Sequence, residues 1–100
     1  MHPFEGAFSY PKSKKGGNFM TLKDTVEMMT SEDYKERFKA EYYQLENRCA
    51  GLITMLEKWD KGELSFTPTC PRSMYERQLK AMEEYARVLD ERSDMEHIFD

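Results

Sequence analysis

The amino-acid sequence predicts an all-α protein: a long antiparallel two-helix hairpin, coiled-coil-like, that assembles as an oligomeric bundle. Three observations predict it. Phe38, Tyr42, Leu45, Cys49, Leu52, Leu56 and Trp59 recur at alternating steps of four and three, the rhythm of a helix that meets a partner along one seam. Tyr75, Leu79, Met82, Ala86 and Leu89 form a second stripe with the same spacing, flanked by Gln78, Tyr85 and Val88. Between the stripes stand Gly62, a natural helix stop, and Pro71, suited to a first helical turn because its missing N–H would be unpaired there anyway.

Taken in order, the elements begin after an atypical stretch. Residues 1–19 hold Pro3, Pro11, Gly6, Gly16 and Gly17, with Lys12, Lys14 and Lys15 against the single acid Glu5. They show no helical or strand period and read as a flexible arm. The string Lys14-Lys15-Gly16-Gly17-Asn18-Phe19-Met20 can also be encoded by a purine-rich ribosome-binding text at a suitable distance before ATG, so the alternative to an arm is that 1–19 is a translated leader and Met20 the natural start. The helical domain is predicted over 20–100, opening with a short turn at about 21–29 around Leu22, Val26, Met28 and Met29. Helix 1 is predicted over about 31–61, entered through a capping box from Thr30 to Asp33 with Glu32, Asp33 and Glu36 in the dipole-favoured first turns. The loop spans 62–70, where Leu64 and Phe66 fold back onto the hairpin end. Helix 2 is predicted over about 71–97, with a second capping box at Ser73–Glu76 and a looser apolar continuation through Met95, Ile98 and Phe99.

Two such stripes bury little for a chain this short, and small domains are marginal without further burial. Tyr34, Tyr43, Met55, Met74 and Tyr85 widen the stripes, so self-association is the expected source of the missing core. The 100 residues carry 19 acids against 15 bases, a net charge of −4. That balance argues against a general nucleic-acid binder. No run approaches the roughly 18 apolar residues of a membrane span. No apolar segment resembles a secretory signal, and the two cysteines read as free thiols. His2 and His97 are too far apart to seed a metal site, no cofactor is predicted, and no catalytic motif appears. Cys49 reads as a small apolar seam residue. Cys70 precedes a helix start, which can lower a thiol pKa, but no histidine near it in sequence would activate it. Glu83-Glu84 and Asp90-Glu91 are expected on solvated faces.

Two places look able to hold a ligand. The loop into helix 2 offers the hydroxyls of Thr67 and Thr69, free N–H groups at the helix start, and the guanidinium of Arg72, a set suited to phosphate or carboxylate. Arginine opposes the dipole in a first turn, so Arg72 calls for an anion; the simpler account is an internal salt bridge to Glu76 or to an acid of helix 1. The first half of helix 1 gathers Tyr34, Arg37 and Tyr43, groups that can stack on a base or clamp a phosphate; the simpler account is a tyrosine-rich helix–helix interface.

The segment Tyr34-Lys35-Glu36-Arg37-Phe38-Lys39-Ala40-Glu41-Tyr42, then Leu45, Arg48, Leu52, Met55-Leu56, Gly62 and Leu64, resembles a family of small phage and prophage proteins related to a gene product of crAss-like gut phages. So do Phe66-x-Pro68-x-Cys70-Pro71, Gln78, Met82, Tyr85, Leu89 and Arg92. The resemblance covers about 32–98, with the Phe-x-Pro-x-Cys-Pro loop its most specific part. It implies a phage origin and a helical hairpin, and it supplies no catalytic residues; the expected place of action is the bacterial host cytoplasm. The expected function is that of a non-enzymatic counter-defence protein, a homo-oligomer that binds and sequesters a cyclic nucleotide immune signal. Direct inhibition of a bacterial defence protein, such as a CRISPR or other nuclease effector, stands as the alternative, and a structural helical module as the third reading.

Overall fold

Thr21 and Asp24 form a reciprocal cap at the start of the first helical turn. The Asp24 N–H donates to the Thr21 hydroxyl at 3.2 Å and the Thr21 N–H donates to the Asp24 carboxylate at 3.0 Å, a capping box. The computed structural model describes residues 20–100; the arm or leader predicted at 1–19 lies outside the described residues. All regular structure among them is helical. A 3₁₀ turn, Lys23–Thr25, runs into α1, Val26–Met29; α2 spans Tyr34–Asp60 and α3 spans Arg72–Met95.

The 20–29 segment is fixed to α2 by polar groups. Thr25 is fully buried; its hydroxyl donates to the Leu22 carbonyl at 2.7 Å and accepts from the Gln44 side chain at 2.9 Å. Asn47 donates to the Met20 carbonyl at 3.2 Å. Gln44 and Asn47 lie three residues apart on one helical face, which they share with the fully buried Ala40.

Helix α2 starts three residues later than the sequence predicts, and not from Thr30. The Thr30 hydroxyl donates back to the Val26 and Glu27 carbonyls, so it closes α1 and cannot cap α2. Asp33 takes that role, accepting from the Lys35 N–H at 3.0 Å with an extended backbone. The 27 residues of α2 make a rod of about 40 Å. It ends in a Schellman motif: Gly62, at φ +70°, donates to the Trp59 carbonyl at 3.0 Å, and Glu63 donates to Lys58 at 2.8 Å. That left-handed backbone conformation favours glycine, which has no Cβ to strain it.

Pro71 is the N-cap of α3, and no side chain caps the helix. The box predicted at Ser73–Glu76 does not form, because α3 already begins at Arg72 and the Glu76 carboxylate is held by Arg72 at 2.9 Å. Its far end is a second Schellman turn, with His97 at φ 55° and the Ile98 N–H on the Ser93 carbonyl at 3.0 Å. The helix therefore stops at Met95, which is 78 % exposed, while Ile98 turns back and is buried at 1 %. Of the looser continuation predicted through Met95, Ile98 and Phe99, Met95 is corrected to an exposed position, and Ile98 enters the core only through that reversal.

Phe38, Tyr42, Leu45, Cys49, Ala86, Leu89 and Ile98 form one core, with Tyr43, Ile53 and Met82 packed against it. Contacts between α2 and α3 run in reverse sequence order: Tyr34 meets Glu96, Tyr42 meets Asp90, Trp59 meets Tyr75 and Asp60 meets Arg72. Glu83 departs from its predicted solvated face and is only 9 % exposed; Glu46 of α2 is also buried, at 1 %. Glu83 follows the core residue Met82 and sits one turn before Ala86, so it enters the edge of the helix contact, whereas Glu84 turns outward and pairs with Arg87.

Candidate functional site

The charged and aromatic groups gather at the two ends of the helix pair. At the loop end, Arg72 reaches across to α2. Its Nη1 donates to Asp60 Oδ1 at 2.6 Å, its Nη2 to Asp60 Oδ2 at 3.4 Å and its Nε to Glu76 at 2.9 Å. The guanidinium also lies over the Trp59 ring, 5.3 Å from its centroid, and Trp59 meets Tyr75 edge to face. The hydrogen bond from Arg72 holds the Asp60 carboxyl below its ordinary range, and the same bond raises Arg72. The anion that Arg72 calls for is thus present within the chain, on both acids. Thr67 and Thr69 are exposed in the loop leading into it.

At the opposite end, the Tyr34 hydroxyl donates to Glu96 at 2.6 Å and accepts from Arg92 Nη2 at 2.7 Å, while Arg92 Nε holds the other Glu96 oxygen at 2.9 Å. Arg92 lies over Phe38, 5.0 Å from its centroid, and Tyr34 meets Phe38 edge to face. The bonds from Tyr34 and Arg92 hold the Glu96 carboxyl low, and Glu96 in turn raises the Tyr34 phenol. Arg37 folds back to donate to the Ser31 carbonyl at 2.7 Å. Tyr43 is half-buried, edge-on to Tyr42 and Phe99, and its phenol is raised first by burial and then by the neighbouring Glu46 and Glu36.

Geometry thus separates the predicted site into two groups. Tyr34 and Asp60 stand at opposite ends of α2, about 39 Å apart at 1.5 Å per residue. On one chain, no small molecule reaches both the Thr67–Thr69–Arg72 loop and the Tyr34–Arg37 end. Sequence reasoning passed over Arg92 and Glu96, the partners of Tyr34; their (i, i+4) spacing was the available signal. It also passed over a groove of about 450 Å³ on α3 lined by Arg77, Lys80, Ala81, Glu83, Glu84 and Arg87.

The two free cysteines have different surroundings. Cys49 is fully buried, and burial, then Glu83 and Glu46, push its thiol from an ordinary 9.0 up to about 12. Cys70 is exposed. A disulfide reagent is expected to titrate Cys70 alone in the folded protein and Cys49 only after denaturant is added; rapid reaction of two thiols at neutral pH would contradict this packing. Tyr85, bonded to Glu41, is likewise raised from 10.0 to about 12, burial first. Groups raised on folding stabilise fully below their unfolded values, and that contribution disappears as pH rises towards the folded ones. The melting temperature should therefore fall between pH 9 and 12, less steeply in Cys49→Ala/Tyr85→Phe.

Fold and site together define a class: a small helical protein built on a pair of long helices with arginine, aromatic and carboxylate groups at each end. The chain belongs to the Sequestin family, whose family model matches residues 32–95. That span starts just before the Asp33 cap of α2 and ends on the last residue of α3. The family name accords with a protein that binds and withholds. No curated protein and no solved structure matches the chain. No described helix is long and apolar enough to cross a membrane.

Proposed function

We propose that this protein is a phage-encoded, non-enzymatic counter-defence protein that captures a cyclic nucleotide immune signal in the host cytoplasm and withholds it from its receptor. It acts as a self-associated antiparallel hairpin, with the ligand held between copies. Membership of the Sequestin family carries this reading, because the matched span 32–95 contains Tyr34, Arg37, Tyr43, Thr67, Thr69 and Arg72 alike. In the proposed complex Thr67, Thr69 and the start of α3 cradle phosphate, with Arg72 turning from Asp60 towards it. Tyr34 and Arg37 bracket the base, and Tyr43 backs that end of the site from the core. The separation of the two groups on one chain is the reason for placing the ligand between copies.

A thermal-shift screen against cyclic di- and mononucleotides tests it. One or more ligands should raise the melting temperature and come off chemically unchanged when the protein is denatured. A flat response across the panel, or a converted ligand, would reject the proposal. The acidic balance of −4 favours a second reading, direct inhibition of a bacterial defence protein such as a nuclease effector. That reading requires a stable complex with the effector whose affinity falls as salt is added.

A further inference from the structure

Helix α3 carries two seams. One, Tyr75, Leu79, Met82, Ala86 and Leu89, faces α2 and the core. The other lies one position behind it at the same alternating spacing: Met74, Ala81, Val88 and Met95 at steps of seven, with Gln78, Tyr85 and Arg92 between them. None of this second seam is buried; Met74 is 45 % exposed, Tyr85 and Val88 43 % each. A strict seven-residue apolar repeat on a helix face suits another helix; Met74, Ala81, Val88 and Met95 are left exposed, while Tyr85 and Arg92 reach from the edge of the seam to Glu41 and Tyr34 of α2.

The charges beside the outer seam indicate what covers it. The flank away from α2 reads Arg77 and Lys80 in the first half of α3, a Glu84–Arg87 pair at 2.6 Å in the middle, and Glu91 and Asp94 in the last half. All of them are exposed, and Arg77, Lys80, Glu91 and Asp94 have no ion-pair partner among the described residues. A second α3 running the opposite way sets the basic half of each copy against the acidic half of the other. One running the same way sets like against like. A self-complementary patch of this kind is what a two-fold interface requires.

We infer that the outer seam of α3 is a homodimer interface in which two copies of α3 pack with opposite polarity about a two-fold axis near Tyr85. The inference gives the self-association proposed above a surface and does not depend on the ligand. The pairing lays the Arg72 end of one copy beside the Tyr34–Arg92 end of the other. Thr67, Thr69 and Arg72 of one chain then share a site with Tyr34 and Arg37 of its neighbour, twice per dimer.

Sedimentation analysis of the full chain at micromolar concentration tests it, with circular dichroism as the check on folding. Wild type should be a dimer, and Ala81→Glu/Val88→Glu a monomer of unchanged helix content. Arg77→Glu/Lys80→Glu, on exposed positions that leave the core intact, should weaken the dimer at least about tenfold. Adding Glu91→Lys/Asp94→Lys to that variant should restore it. A monomeric wild type overturns the interface, as does a charge reversal without effect or a full swap that fails to restore the dimer. A dimer that ignores every nucleotide overturns only the ligand reading; a monomer stabilised by one overturns the interface and the placement of the ligand between copies, and leaves nucleotide capture itself standing.

Discussion

Removing Ile98, Phe99 and Asp100 is expected to destabilise the protein by roughly 2–5 kcal/mol, the range for emptying a buried isoleucine site. Chain ends usually tolerate truncation, and here the physical chemistry points the other way. Ile98 is 1 % exposed and belongs to the same core as Phe38, Leu45 and Leu89. Phe99 sits edge-on to Tyr42 and Tyr43, at 5.1 and 6.0 Å, with the Lys39 ammonium 5.8 Å from its ring centroid. The turn that delivers both residues depends on His97 holding a left-handed backbone and on the Ile98 N–H meeting the Ser93 carbonyl. Ile98→Ala should account for most of the loss, and Met95→Ala, at a 78 % exposed position, for almost none. Urea unfolding followed by circular dichroism separates the three. A truncated chain within about 0.5 kcal/mol of wild type, the scatter of ordinary surface changes, would mean that the tail does not close the core. The same experiment asks whether the core of the family-matched span 32–95 needs a residue from outside it, since Ile98 lies beyond that span.

What the sequence makes legible follows from which interactions are local. The core seam of α2 could be read because its spacing is a property of one helix, and Phe38, Tyr42, Leu45, Cys49 and Leu56 are all buried. The helix ends were harder, because adjacent hydroxyls and carboxylates compete for the same N–H and carbonyl groups. Thr30 and Asp33 both look like caps, and only the position of α1 decides that Thr30 closes the earlier helix. Glu83 and Glu84 cannot be told apart by type, yet one step of about 100° around the helix buries the first and exposes the second. The Ile98 reversal had no glycine to announce it, since His97 occupies the position glycine usually fills. At the site, the need of Arg72 for an anion was visible locally. That Asp60 meets it, twelve residues earlier in the chain, depended on how α2 and α3 pair.

That pairing makes Arg72→Ala the substitution with the largest expected effect on binding. On the proposal above, the guanidinium must exchange Asp60 for a ligand phosphate, so its loss should reduce nucleotide affinity by about ten- to a hundredfold, the worth of a charge-assisted hydrogen bond. Loss of a merely structural clamp would instead lower the melting temperature and leave affinity unchanged in the protein that remains folded. Asp60→Asn distinguishes the two roles. It weakens the internal competitor while sparing the guanidinium, so a ligand-binding Arg72 predicts tighter binding in that variant and a purely structural one predicts no gain. Arg72→Lys keeps the charge but not the two-pronged grip on Asp60 or the flat face over Trp59, and should recover only part of the affinity. Because Arg72 holds the Asp60 carboxyl below its ordinary 3.8, the competitor stays charged throughout the neutral range. The gain in Asp60→Asn should therefore be constant from pH 6 to 8. A gain that varied across that window would point to a titrating group other than Asp60, and an affinity equal to wild type in both Arg72→Ala and Asp60→Asn would remove Arg72 from the site.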